Sequence, residues 1–141
     1  MTNVNCGHYT VSDQRLRDVL ENIAREIGQS VNVTSGDRNN IPRGSSKGSL
    51  HLLNEAVDFH IQGISDETAF RMMRMKRKAI FGDAKDVEFR FQIIRHGSHT
   101  ATQGGHLHLG YVPEGGTQMR GFVSEGLTPA TKGKYDYVEL P

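Results

Sequence analysis

Apolar residues recur at Leu16, Val19, Leu20, Ile23, Ala24 and Ile27. This is the i, i+3, i+4, i+7 spacing of one helical face. Ser12 in front is a natural N-cap and Gly28 behind a natural stop, so the pattern predicts a scaffold helix over 12–27. The period then changes. "SVNVTSG" (30–36) alternates into a short strand, and the polar stretch 37–48, with one proline and two glycines, reads as loop. "AVDFHI" (56–61) reads as a strand with Val57, Phe59 and Ile61 on one side and Asp58 and His60 on the other.

Ser65 caps a second predicted helix, 65–82, with Asp66 and Glu67 in its first turn and Gly82 at its end. Residues 87–94 alternate again, with Val87, Phe89, Phe91 and Ile93 on one face. A loop carrying His96 and His99 leads to a strand at "HLHLGYV" (106–112), and the short connection predicts an antiparallel pair. From residue 113 onward glycine and polar residues dominate, apart from a short edge strand within "KYDYVEL" (134–140). The elements predict an α+β fold, a small antiparallel sheet flanked by helices.

Composition sharpens this picture. A chain of 141 residues fits a single domain, 1–141, and 16 glycines suit a loop-rich protein with a small core. A net charge of +1 selects neither nucleic acid nor a membrane surface. The basic run "RMKRK" (74–78) spreads around an exposed helical arc without aromatic stacking residues beside it, so no nucleic-acid partner is expected. Met72, Met73 and Met75 cannot all share one core stripe. No apolar run approaches the roughly 18 residues of a membrane span. The N-terminus lacks the basic and apolar regions of a secretory signal, so synthesis in the cytoplasm is expected.

Candidate chemistry follows from two stretches. In "SLHLLNEAVDF" (49–59), His51 and Asp58 stand seven apart. In "GGHLHLGY" (104–111), His106 and His108 alternate with leucines, so a strand turns both imidazoles to one face. Cys6 is the only cysteine, which excludes an intrachain disulfide or a thiolate cluster. A metal site here must therefore use histidine and carboxylate, ligands that suit zinc. His51, Asp58 and one histidine of the 106/108 pair would supply three ligands and leave a position open for water.

These residues carry a resemblance. Ser49, His51, Ala56 and Asp58 match an SxHxxxxAxD pattern. With the later His-x-His, the chain resembles the zinc D-Ala-D-Ala carboxypeptidases and murein endopeptidases, whose fold is shared with lysostaphin-type peptidases and hedgehog domains. The resemblance spans roughly 30–112. It implies Zn2+ held by His51, Asp58 and His108, with Arg38 stabilising an oxyanion, His106 acting at the catalytic centre and Ser49 in support. The implied substrate is the peptide of bacterial peptidoglycan, cut by metal-activated water. An immunity or inhibitor protein is a further expected partner, and the chain is expected to be a monomer. Without a signal peptide, a lysis enzyme released through a pore or an effector delivered by a secretion machine is expected to reach the cell wall.

Two departures from the pattern stand out. Asn54 occupies a position where glycine is frequent. Residues 99–105 contain no carboxylate, although many members place a general base shortly before the last ligand. Either His106 does that work, or another group arrives from a loop, with His96 and His99 as candidates, or catalysis is lost. The last case leaves a non-catalytic, zinc-stabilised binding domain on the same fold. His60 shares the predicted face of Asp58 and is expected to be structural.

Overall fold

The computed structural model describes residues 3–37, 55–83, 89–98 and 105–137. Arg38, Ser49, His51, His99, Asn54 and most of the 37–48 loop lie outside the described residues. So do Val87 and the end of the C-terminal stretch.

The described elements are β1 (Val4–Asn5), α1 (Gln14–Ile27), β2 (Val31–Ser35), β3 (Ala56–Ile61), α2 (Asp66–Met75) and α3 (Arg77–Phe81). They continue with β4 (Phe91–His96), β5 (His106–Tyr111), β6 (Gly121–Glu125) and β7 (Tyr135–Tyr137). Seven strands form one sheet in the order β1-β2-β3-β5-β4-β6-β7. The mixed helix-and-sheet class is as expected, but the sheet is neither small nor purely antiparallel. β1 runs parallel to β2, and β6 runs parallel to β4.

The first helix starts one residue later than its spacing suggested. Asp13, not Ser12, is the N-cap, and its carboxylate accepts the Arg15 backbone N–H. Gly28 closes the helix in the left-handed conformation, with φ of 79°, where glycine carries no Cβ penalty. Leu16, Val19, Leu20, Ile23 and Ala24 are buried, as their period requires. The second helix is two helices. Its chain turns at Lys76, where ψ moves to 20°. The break lets Met73 and Ile80 both enter the core while Met75 stays 75% exposed.

Strand parity divides the sheet. Val57, Phe59, Ile61, Ile93, Leu107, Leu109 and Phe122 share one core with the buried residues of the three helices. Phe81 adds aromatic contacts to Phe89, Phe91 and Phe122, with ring centroids 5.7–6.2 Å apart. The helices therefore occupy one face, and the alternate residues, Asp58, His106 and His108 among them, belong to the other.

The region after residue 113 holds a strand that the glycine-rich pattern concealed. β5 leaves the sheet at Tyr111, and the chain returns as β6 on the far side of β4, parallel to it. The two strands meet closely at their ends, where Gly97 N–H donates to the Glu125 carbonyl at 2.7 Å. A Cβ on Gly97 would stand 2.4 Å from the Gly126 oxygen and 2.8 Å from the Leu127 Cα. Both are backbone atoms, so the neighbours cannot swing aside. Gly97→Ala is expected to destabilise the fold by about 1–3 kcal/mol, the usual cost of forcing atoms into a packed site. Chemical denaturation of the two proteins measures this; an unchanged midpoint would contradict the close approach.

Candidate metal centre

The centre is built on three neighbouring strands. Antiparallel pairing of β3 and β5 sets Asp58 directly opposite His108. Paired residues on adjacent strands point to the same face, and the two side chains meet. His108 Nδ1 lies 3.0 Å from Asp58 Oδ1. His106 Nε2 approaches the same oxygen at 3.7 Å, too far for a hydrogen bond. All three residues are buried. A register shift in β2 between Val33 and Ser35 also brings Ser35 into pairing with Asp58.

Three further residues enter through β4 and β6. Gln92 Oε1 lies 2.6 Å from His108 Nε2, and the Gln92 amide nitrogen donates to the Met119 carbonyl at 2.9 Å. His96 is the last residue of β4, not part of the following loop. It pairs in register with His106 on one side and Glu125 on the other. The His96 and His106 rings stack with centroids 4.5 Å apart. His96 Nδ1 donates to Glu125 Oε1 at 2.7 Å, while Glu125 Oε2 accepts the Gly133 N–H at 3.1 Å. Tyr135, opposite Glu125 on β7, presents its ring edge-on to His96 at 6.3 Å.

The sequence had pointed to Asp58, His106, His108 and His96, and the structure gathers all four. His60 is elsewhere: its Nδ1 lies 2.8 Å from Asp66 Oδ1 at the start of α2. Glu125 and Gln92 were missed. Gln92 carried a weak signal, a polar residue alternating with Phe91 and Ile93. Glu125 carried none, because only the return of β6 alongside β4 brings it here. It supplies a carboxylate that residues 99–105 lack.

The arrangement constrains charge. Burial holds the His96 pKa below the ordinary value, against the hydrogen bond to Glu125, which raises it. The neighbouring His106 also lowers it. Burial, assisted by the Glu125 charge, raises the Tyr135 phenol. Since a carboxylate only accepts, a neutral His96 carries its proton on Nδ1 and its lone pair on Nε2.

Among the described residues, no group of three or more His, Cys, Asp or Glu side chains is arranged to hold a metal ion. The first ligand implied by the sequence, His51, lies outside them. The described pair nevertheless fits the chemistry: a carboxylate oxygen and an imidazole nitrogen, buried and facing each other, are zinc donors. Comparison with protein-family models, with curated proteins and with solved structures finds no match.

The depressed His96 pKa has a consequence for stability. As pH falls below about 6.5, the unfolded chain takes up a proton at this histidine before the folded one does. Its contribution to stability therefore declines on acidification through that window and is flat above it. NMR titration of the His96 ring is expected to give a midpoint below the ordinary histidine value, and Glu125→Gln to lower it further. A midpoint above the ordinary value would contradict the burial argument.

Proposed function

We propose that this chain is a zinc-dependent peptidase acting on the peptide stems or cross-bridges of bacterial peptidoglycan, on a hedgehog/D-Ala-D-Ala-peptidase-like fold. One observation carries the reading. The Asp58 carboxylate meets His108 Nδ1 at 3.0 Å, and the two come from the separate motifs whose combination resembles that family. The helix-backed sheet, with its buried polar face, supports the reading as well. No helix among the described residues is long and apolar enough to cross a membrane. The site of action is the cell wall, reached by pore release or by a secretion machine.

His51, Asp58 and His108 would hold the metal. When bound, zinc lowers the pKa of a water towards about 7 and polarises a carbonyl. His106 stands beside the ligand pair, its Nε2 3.7 Å from Asp58 Oδ1. It accepts the proton of the attacking water and returns it to the leaving amine. His96, stacked on His106 and tied back to Glu125, restricts that ring. Arg38 meets the negative charge that develops on the scissile carbonyl oxygen.

Purified protein is expected to hold about one zinc per chain, and His51→Ala, Asp58→Ala or His108→Ala to lose it. Elemental analysis of the purified variants decides this. Stoichiometric zinc in Asp58→Ala would refute the ligand assignment.

His106→Ala is expected to retain zinc and lose about two to four orders of magnitude in turnover of cell-wall fragments. Arg38→Ala is expected to retain zinc and lose about a hundredfold or more. Loss of zinc from His106→Ala would make this histidine a ligand instead. Zinc binding by the parent without hydrolysis of any wall fragment would indicate a zinc-stabilised binding domain on the same fold.

A further inference from the structure

Gln92 sits on β4 in register with Gly110, a residue that brings no side chain to that position of the sheet. It is 5% exposed, and both ends of its amide are engaged. The direction of each bond is fixed by chemistry. The Met119 carbonyl can only accept, so the Gln92 NH2 group must face it. That turns Gln92 Oε1 towards His108, and this oxygen too can only accept. His108 Nε2 must therefore carry a proton. Its other nitrogen, Nδ1, is the one facing Asp58 Oδ1 at 3.0 Å.

Two lone pairs at that distance repel each other unless a cation, a proton or a metal, lies between them. The Met119 carbonyl thus dictates, through one amide and one imidazole, which ring nitrogen is offered to Asp58. We propose that Gln92 is a positioning residue that assigns Nδ1 of His108 to the metal and reserves Nε2 for the hydrogen bond behind it. The proposal rests on the zinc reading above. It follows a general pattern, in which a ligating histidine donates its second ring N–H to an acceptor that fixes its tautomer and orientation.

A purely space-filling Gln92 makes different predictions, and two substitutions separate the roles. Gln92→Met keeps the volume and removes the amide acceptor. Gln92→Glu keeps an oxygen for His108 Nε2–H and gives up the donor to Met119. Long-range 1H–15N correlation spectra of the labelled parent, metal-free and zinc-loaded, read the two ring nitrogens directly. Competition with a chromophoric chelator gives the zinc affinity of each protein.

The parent is expected to show a protonated His108 Nε2 in both states, and zinc addition to shift the Nδ1 resonance. Gln92→Met is expected to bind zinc about 10- to 100-fold more weakly, with Gln92→Glu recovering most of the loss. Zinc bound through Nε2 in the parent would overturn the proposal and leave the zinc reading intact. Equal affinity in Gln92→Met and parent would do the same, as would equal weakening in both variants. A parent that binds no zinc would overturn both.

Discussion

The register of β5 is the constraint on which the polar face depends. This strand lies between β3 and β4 and is paired along its length with both. Its alternation sends Leu107 and Leu109 into the helix-backed core and His106 and His108 to the opposite side. A slip of one residue against either neighbour would exchange the two sets. Leucines would then face Asp58, and two imidazoles would be driven into a hydrocarbon interior. The apolar core therefore holds the site in register: the same leucines that bury α1 against the sheet keep both histidines aimed at one carboxylate.

Burial of that polar face requires that its groups find partners. Asp58, His106, His108, Gln92 and Glu125 are all at or below 9% exposure. The groups behind the histidines are anchored in turn to backbone, Gln92 to the Met119 carbonyl and Glu125 to the Gly133 N–H. Two imidazoles are thus each held from the rear by a side chain that is itself fixed to the main chain. Such bracing limits ring rotation and holds the geometry of the polar face.

Much of this was legible in the chain. The periodicity of α1, the alternation of β3 and β5 and the common face of His106 and His108 follow from simple spacing, whereas the meeting of Asp58 with them depends on the β3–β5 pairing, which local spacing does not encode. The cap of α1 was misplaced by one residue because Ser12 and Asp13 are both good capping residues, and only the backbone shows which accepts the Arg15 N–H. The break at Lys76 was hidden because every residue from Arg71 to Lys78 is a competent helix former. β6 was missed for a different reason. Its "GFVSE" is short and begins with a glycine, and its place beside β4 is decided by a non-local parallel pairing that local pattern does not encode. Glu125 and its contact with His96 were lost with it.

Among the described residues, the sheet ends in two very short strands. β1 contributes two residues and β7 three, while the long strands sit inside. A sheet edge is a row of unpaired backbone donors and acceptors, and a long flat one recruits other chains. The described β1 edge is only two residues long, so an incoming strand would find few bonds to make there. The outer strands can accept changes in sequence that keep the chain from self-association, while β3, β4, β5 and β6 retain the geometry of the polar centre.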